Sequence, residues 1–145
     1  MDFEFTKEQL KEILHRDREV DEWYDAMIEM FPKYGITTKN RVAGFLAQTA
    51  HESANYKTIT ENLNYSAKAL DAIFGKYFTR RGISPKNYHR EPAKIANHIY
   101  ANRMKNGDTA SGDGWRFRGG GILQLTGRHN YTAFGKSVNM TAEDA

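Results

Sequence analysis

The stretch TKNRVAGFLAQTAHES, residues 38–53, predicts a helix that belongs to the core. Thr38 is a suitable N-cap for it. Side chains that can be buried then recur three and four residues apart, the spacing of one helix face, at Val42, Phe45, Leu46 and Thr49. Continuing that face by three and four residues leads to Glu52 and Ser53. We therefore expect a core helix that ends on a carboxylic acid.

Similar patterns predict helices on both sides of this stretch. Before it, a capping box of Thr6 and Gln9 begins a short amphipathic helix, and a second helix covers about 20–34. After it, helices are expected over three ranges, 66–78, 92–103 and 128–138. The side chains expected to point inward from the first two of these are Leu70, Ile73, Phe74, Tyr77, Phe78, Ile95, Ile99 and Tyr100. The predicted fold class is mainly α.

The connections between these helices are polar, and one of them is long. Residues 105–121 are dense in Gly, Asn, Asp and Ser, and a loop of that length in a compact domain usually has a function. The apolar run 122–125 that follows it predicts a small strand. We expect this small β and glycine-rich segment to be the main departure from helix.

Composition narrows the class of protein. The 145 residues are the size of one domain, so we expect a single domain over 1–145. Cysteine is absent, which excludes disulfides and thiolate sites, and no apolar run is long enough for membrane insertion. The net charge of +3 comes from basic and acidic residues mixed along the chain, without the basic run of a nucleic-acid tail. This small excess suits an anionic polymer such as a bacterial wall, and equally RNA, so charge alone does not decide the partner.

The two ends of the sequence carry expectations of their own. The N-terminus lacks the apolar segment of a signal peptide, so we expect synthesis in a cytoplasm and export by some other route. The last five residues, 141–145, resemble the start of a helix, with a capping threonine followed by acids. We therefore expect a domain that is truncated at its C-terminus.

Glu52 is a candidate general acid. Its place on the apolar face of the helix predicts partial burial, and its place in the last turn exposes it to the negative end of the helix dipole. Both effects favour a protonated carboxyl group, which is what a glycosidase uses to protonate a leaving oxygen. The alternative is a glutamate that turns to solvent or pairs with His51.

Glu61 is a candidate general base. It lies nine residues later in the polar segment TENLNYS, where a carboxylate stays ionised and can take a proton from water. An acid and a base in contrasting environments are typical of such a pair. The alternative is an ordinary solvated surface acid.

The remaining residue patterns mainly exclude classes of site, in particular metal sites and phosphate-binding loops. The sequence has neither an HExxH motif nor a cluster of Asp and His, so no metal and no cofactor is expected. The run Gly119–Gly121 lacks a phosphate-loop context and instead predicts a tight turn or a close approach to a ligand. Five aromatic residues lie in or near the loops and are equally suited to stacking on sugars or to the core, namely Tyr56, Tyr65, Trp115, Phe117 and Tyr131.

Four segments together resemble glycoside hydrolase family 19, the family of plant-type chitinases and many phage endolysins. They are FLAQTAHESANY at 45–56, ENLNYSAKAL at 61–70, REPAKIANHIYANRMKNGD at 90–108 and GDGWRFRGGGILQLTGRHNY at 112–131. They occur in order and span most of the chain after residue 41. In the sequence of the second segment and in its lack of cysteine, the chain resembles the phage and bacterial endolysin branch of the family.

The resemblance implies roles for individual residues. Glu52 would be the general acid, Glu61 the general base, and Thr126 the hydroxyl residue that helps to hold the attacking water. Positions matching the sugar-binding cleft are Gln124, Asn130 and Tyr131, with His51 and Tyr65 as further cleft residues. The family inverts at the anomeric carbon, which implies carboxyl groups about 6.5–9.5 Å apart with a water between them.

The sequence departs from the family pattern at two points. The family usually has arginine in the middle of a Gly-Arg-Gly turn, where this chain has Gly120. The family domain usually continues through further helices after the segment that ends this sequence. Both departures favour the alternative of a non-catalytic wall-binding or structural relative.

The combined expectation is an endolysin-type glycosidase with a lysozyme-like, two-lobed fold. It would hydrolyse β-1,4 linkages between N-acetylated amino sugars of peptidoglycan, binding glycan strands as a monomer and without nucleic acid. It would be made in a host cytoplasm and reach the wall in the periplasm through a membrane lesion made by another protein. The alternatives are a chitinase, a non-catalytic wall-binding relative, and a lytic transglycosylase, which needs only one acid.

Overall fold

The computed structural model describes residues 1–15 and 19–145 and is mainly α-helical, as predicted. The described residues form two compact units, Met1–Ile59 and Thr60–Ala145. The bounds of the α-helices are α1 Lys7–Leu14, α2 Val20–Lys33, α3 Lys39–Glu52, α4 Ala67–Phe74, α5 Pro92–Ile99, α6 Asp113–Arg116 and α7 Arg128–Ser137. Four short 3₁₀ helices lie in the second unit, at Gly75–Tyr77, Thr79–Arg81, Pro85–Tyr88 and Thr109–Ser111. None of the helices in the described part of the chain is long and apolar enough to cross a membrane.

The three helices of the first unit begin where the sequence predicts. Thr6 caps α1 through a complete capping box with Gln9. Thr38 caps α3, its hydroxyl accepting from the Arg41 amide at 3.4 Å. α2 ends in the turn that contains Pro32, and Gly35 follows at φ 67°. The core of this unit consists of Phe5, Leu10, Leu14, Val20, Met27, Phe31, Val42, Leu46 and Tyr56.

The core of the second unit is a buried cluster contributed mainly by α4 and α5. Its buried members are Leu63, Leu70, Phe78, Ile95, Ala96 and Ile99. Half-buried aromatic residues surround it, including Tyr65, Trp115 and the tyrosine at the end of α5, Tyr100. The predicted inward face of α5 is thus confirmed for Ile95 and Ile99.

Two helices of this unit are shorter than predicted. α4 ends at Phe74, and the chain continues as a 3₁₀ turn. The expected burial of Ile73 is wrong, because Phe74, four residues after Leu70, takes the inward place and packs edge-on against Tyr65 with ring centroids 5.4 Å apart. Ile73 is 58% exposed. α5 stops at Ile99, because a turn follows in which three residues have left-handed backbone angles, Asn102, Met104 and Lys105.

The strand predicted at 122–125 is also wrong. Gly120 and Leu125 form an isolated antiparallel bridge, and the residues between them are a turn. Gly121 at φ 74° and Gln124 at φ 55° supply the left-handed angles that this turn needs. The apolar run is therefore the tip of a hairpin, on which Leu123 is 65% exposed.

Candidate active site

Glu52 is the last residue of α3, and its side chain is exposed. Its Oε1 accepts a hydrogen bond of 2.9 Å from Nε2 of Gln48, one turn earlier in the helix. The expected burial of Glu52 is therefore wrong. The inward place in this turn belongs to Ser53, which is fully buried. His51 is exposed as well.

A buried hydrogen-bond network holds the turn that follows Glu52. The Ser53 hydroxyl donates to the Thr49 carbonyl at 2.6 Å and accepts from the Tyr56 amide at 2.8 Å. The Tyr56 and Thr49 hydroxyls lie 2.6 Å apart, and the Tyr56 ring packs edge-on against Trp23 at 4.9 Å. Burial raises the pKa of the Tyr56 phenol. Tyr56 is thus a core residue. For this one of the five loop aromatics, the structure decides between a place in the core and stacking on a sugar.

This turn has an unusual backbone. Ala54, Asn55 and Tyr56 follow one another at φ 51°, 58° and 62°, although none is glycine. Left-handed angles are unfavourable for such residues, and the surrounding contacts must hold them in place. The motif AHESANY at 50–56 therefore encodes a turn directly after Glu52 that is held by buried contacts.

Glu61 is half-buried and firmly held, contrary to the predicted wet loop. Its Oε1 accepts from the Tyr100 hydroxyl at 2.7 Å, and its Oε2 accepts from the Gly119 amide at 3.0 Å. Its own amide donates to the Gly119 carbonyl at 2.7 Å. Burial, followed by the hydrogen bond to the Glu61 carboxylate, raises the pKa of Tyr100, which keeps the phenol as the donor.

The glycine-rich hairpin lies directly against Glu61. Thr60 and Leu125 both bridge to Gly120, so three short chain segments meet at this point. A Cβ on Gly119 would lie 2.5 Å from Oε1 of Gln124 and 3.2 Å from Oε2 of Glu61. Glycine is therefore required here for close approach, and the Gln124 amide and the Glu61 carboxylate face the same backbone.

The other predicted residues of this segment cluster on the same hairpin and on the first turn of α7. The half-buried Thr126 donates its hydroxyl hydrogen to the Gln124 carbonyl at 3.2 Å, and Asn130 donates to the Thr126 carbonyl at 2.8 Å. The Tyr131 hydroxyl donates to the Arg118 carbonyl at 2.9 Å. Burial raises the pKa of the Tyr131 phenol. The second unit thus brings Glu61 together with Gln124, and Thr126 with Asn130.

Gly120 has a structural explanation. A Cβ at this position would lie 2.5 Å from the Tyr131 hydroxyl, so the tyrosine fills the space that a side chain would use. Tyr131 also packs on Phe117, with ring centroids 5.4 Å apart. An arginine here, as in the family pattern, would require Tyr131 to shift.

Two aromatic residues of the segment 112–131, Phe117 and Trp115, are packed against other protein groups. Phe117 is 1% exposed and belongs to the core. The half-buried Trp115 has one ring face covered by the Arg118 guanidinium, 3.9 Å from the ring centroid. Tyr65 packs against the core cluster and is half-buried.

A buried ion pair anchors the far side of the hairpin. Asp113 is 4% exposed and makes two hydrogen bonds with Arg128, from Nε at 2.9 Å and from Nη2 at 2.8 Å. It also accepts from the Gly107 amide at 2.9 Å. The Arg128 guanidinium holds the pKa of Asp113 below its usual range. The pair ties the loop before the hairpin to α7 after it.

Two groups that contact Glu61 are not predicted from the sequence. Tyr100 was placed in the core by its spacing from Ile95, and its hydroxyl partner lies 39 residues away in the sequence. The Gly119 amide carries no side-chain signal at all. A polar atom at the end of a buried stripe, as in Tyr100, is the one sequence feature that could have suggested such a role.

Comparison with known proteins gives a family. A curated protein of Haemophilus influenzae, named glycosyl hydrolase family 19 domain-containing protein, is 49% identical over 120 residues. This match covers 83% of the chain. The chain belongs to glycoside hydrolase family 19. It spans 60% of the length of that relative, and a scan against protein-family models found no match.

The roles of the two glutamates, general acid for Glu52 and general base for Glu61, stay predictions that rest on the resemblance to this family. Their environments are the reverse of those expected, because Glu61 is the half-buried and doubly hydrogen-bonded carboxylate and Glu52 the exposed one. The assignment of acid and base therefore rests on the motifs at 50–56 and 61–70. The cleft expected between the two glutamates stays a prediction.

Proposed function

We propose that this protein is a glycosidase that hydrolyses β-1,4 linkages between N-acetylated amino sugars of bacterial peptidoglycan. Glu52 is the general acid and Glu61 the general base of a single-displacement, inverting reaction. The observation that carries the proposal is the holding of Glu61 by Tyr100 and Gly119, beside the amide of Gln124.

The proposed reaction needs an immobile base. One lone pair of each Glu61 oxygen is occupied by a hydrogen bond, so the carboxylate has a defined direction in which to accept a proton from water. The hairpin adds the Gln124 amide beside it and carries the Thr126 hydroxyl two residues later. These polar groups suit a water molecule and the N-acetyl group of a sugar. Fixing the reacting groups in this way is a recognised source of rate enhancement.

The proton balance of the proposed step is simple. Glu52 gives its proton to the glycosidic oxygen as the bond to the anomeric carbon breaks. Water attacks the same carbon from the opposite face, and Glu61 takes the proton that the water loses. No covalent intermediate and no cofactor takes part.

The choice of peptidoglycan over chitin, and of a phage lysis role, rests on sequence features. The segment ENLNYSAKAL and the absence of cysteine resemble the endolysin branch of the family. The second unit also carries a clear excess of basic residues, which suits an anionic wall polymer more than neutral chitin.

The test is turbidity loss of Gram-negative cells whose outer membrane has been permeabilised. Wild-type protein should clear the suspension, whereas Glu52→Gln and Glu61→Gln should each lose at least about 100-fold in rate. Circular dichroism checks that the variants are folded, and Glu29→Gln, an exposed glutamate paired with Lys33, is the matched control. A folded wild type that clears nothing would show a binding or remnant module instead.

Two further readouts separate the competing reactions. A lytic transglycosylase would tolerate Glu61→Gln, since it uses only one acid, and would leave no newly hydrolysed reducing end. A chitinase would act on soluble chitin oligomers faster than on peptidoglycan. Equal loss for both glutamate variants on peptidoglycan supports the inverting hydrolase.

A further inference from the structure

A cavity of about 390 Å³ opens in the second unit, and neither Glu61 nor the residues that hydrogen-bond to it line this cavity. Its lining comes from three 3₁₀ helices, from the end of α5 and from the turn that follows α5. The residues that line it are Tyr77, Arg81, His98, Ile99, Ala101, Asn102, Arg103 and Thr109. The whole range 60–145 is described, and this lining contains cations and neutral polar groups but neither aspartate nor glutamate.

Three cations converge on the Tyr77 ring beside this cavity. The distances to the ring centroid are 5.6 Å for the Arg81 guanidinium, 5.2 Å for the Arg103 guanidinium and 4.9 Å for the Lys76 ammonium. Cation–π contacts of this kind contribute about 0.5–1 kcal/mol each at exposed sites. They orient the guanidinium planes while leaving most of their N–H groups to solvent or a ligand.

Three of the seven carboxylates of this unit form ion pairs with other cations. Glu91 pairs with Lys94, Asp113 pairs with Arg116 and Arg128, and Glu143 pairs with Arg128. None of these ion pairs, which cover the described range 60–145, includes a member of the trio Lys76, Arg81 and Arg103. His98 is already engaged, since its Nε2 lies 2.8 Å from the Tyr77 carbonyl.

The charge of the whole unit acts in the same direction. Residues 60–145 contain thirteen of the lysines and arginines but only seven of the aspartates and glutamates. Like charges repel one another, and the cation–π contacts offset only part of that repulsion. A bound anion would lower the electrostatic energy of the trio further.

We propose that this cavity binds carboxylate groups of an anionic wall polymer. Arg81 and Arg103 offer planar donor forks that match a carboxylate, and Asn102 and Thr109 add neutral hydrogen-bonding groups. The identity of the polymer rests on the proposed function, because peptidoglycan strands carry short peptides with free carboxylates. The anion site itself rests on the second unit alone.

The cavity is also linked to the candidate base through one side chain. Arg103 lies 5.7 Å from the centroid of the Tyr100 ring and donates to the Ile99 carbonyl at 3.0 Å. The Tyr100 hydroxyl binds Glu61. A peptide attached to a glycan at Glu61 would therefore find its counter-charge nearby, whereas a bare glycan would not.

The experiment compares binding to two probes coupled to beads, fragments of intact sacculi and the glycan strands that remain after an amidase has removed the peptides. The coupling is needed because the stripped strands are soluble, and their only carboxylates are the lactyl groups on the sugars. Cosedimentation is measured in the Glu52→Gln background, so that the probes are not cut. Arg81→Gln and Arg103→Gln should each weaken binding to sacculi about three- to fivefold, the range for exposed charge pairs, and leave binding to stripped glycan unchanged. Arg80→Gln is the matched control, because Arg80 is adjacent in sequence but lines a different cavity.

The outcomes separate the proposal from its rivals. Equal loss in Arg80→Gln would show a diffuse charge effect. Equal loss on stripped glycan would show a contact with the sugars or their lactyl carboxylates. Either result would overturn the binding of peptide carboxylates by this cavity. Thermal denaturation checks that the variants fold. If wild-type protein releases no reducing ends from either probe while the arginine effect persists, the proposed glycosidase function fails and the anion site stands.

Discussion

At the scale of single residues, the end of α3 turns the side chain of Ser53 into the core and leaves that of Glu52 exposed. The buried face runs through Val42, Leu46 and Thr49 to Ser53, in steps of four, three and four residues. Phe45 and Glu52 lie at the edge of that face, where Phe45 is half-buried and Glu52 is exposed. A spacing of three or four residues therefore predicts the face of a helix but does not choose between neighbouring positions at its edge.

Tyr100 is expected to act as a positioning residue for Glu61. The Tyr100→Phe variant removes the 2.7 Å hydrogen bond while keeping the ring in the core. A hydrogen bond to a charged group contributes about 1.5–3 kcal/mol, so kcat should fall about tenfold or more while KM changes little. Steady-state kinetics on peptidoglycan measure the two constants separately.

The control for this variant is Tyr88→Phe. Tyr88 is another half-buried tyrosine of the same core, packed on Phe78 with ring centroids 5.0 Å apart. It should keep wild-type kinetics, since its ring contacts survive the change. Equal losses in both variants would show that Tyr100 acts only through the stability of the core.

At the scale of elements, the hairpin at 119–125 depends on close packing at Gly119. In the Gly119→Ala variant, the added methyl group would collide with the Gln124 amide and press on the Glu61 carboxylate. Displacing a reacting group by about 1 Å can lower a rate about 100-fold, and we expect a loss of that order with the overall helix content preserved.

The matched control for the hairpin is Gly44→Ala in α3. A Cβ at Gly44 meets nothing within 4 Å, and alanine favours a helix interior over glycine by about 0.5–1 kcal/mol. Circular dichroism and activity should therefore show a protein that is equally active and slightly more stable. An active Gly119→Ala variant would contradict the inferred role of the hairpin.

The Asp113–Arg128 pair joins the loop before the hairpin to α7. Breaking a buried ion pair typically costs about 3–5 kcal/mol, and because Arg128 keeps 34% of its side chain exposed we expect about 2–3 kcal/mol for Asp113→Asn at neutral pH. Urea denaturation measures this change in the free energy of unfolding. Asp71→Asn, at an exposed aspartate bonded to Thr79, should have a smaller effect.

The same pair predicts how stability depends on pH. Because the pKa of Asp113 is lowered in the folded protein, the folded state binds fewer protons than the unfolded state below about pH 4, the ordinary aspartate value. The contribution of the pair is therefore complete above about pH 4 and is lost as the pH falls toward the lower, folded value. The difference in stability between wild type and Asp113→Asn should shrink over that window, and a constant difference would contradict it.

At the scale of the whole molecule, the charges are unevenly divided between the two units. Residues 1–59 carry eight basic and eleven acidic residues, whereas 60–145 carry the thirteen basic and seven acidic residues that produce the net positive charge. An overall value of +3 hides this asymmetry. The positive unit is the one that holds Glu61 and the glycine-rich hairpin.

This asymmetry predicts a dependence on salt that differs between substrates. Raising the salt concentration from about 20 mM to about 500 mM shortens the screening length severalfold and should weaken the attraction to anionic sacculi. Reducing-end release from sacculi should fall about tenfold, while turnover of a neutral chitin oligomer should change far less. The same loss on both substrates would show a general effect of salt on the protein.

The sequence by itself determined the helices, their caps and the family. These features depend on local chemistry, because the Thr6 and Thr38 caps act within a few residues and the motifs at 50–56 and 61–70 are continuous in the chain. For the same reason, six predicted helices are found, although two of them end earlier than expected.

Only the tertiary structure decided which glutamate is held and by what. The partners of Glu61 come from 39 and 58 residues further along the chain, and no pattern in a sequence shows that Tyr100 or the Gly119 amide will meet it. The exposure of Glu52, the turn in place of a strand at 122–125, and the fit of Gly120 to the Tyr131 hydroxyl were decided in the same way. The partners of Glu61 show this most clearly, because they come from segments that are distant in sequence, where packing decides what local preference cannot.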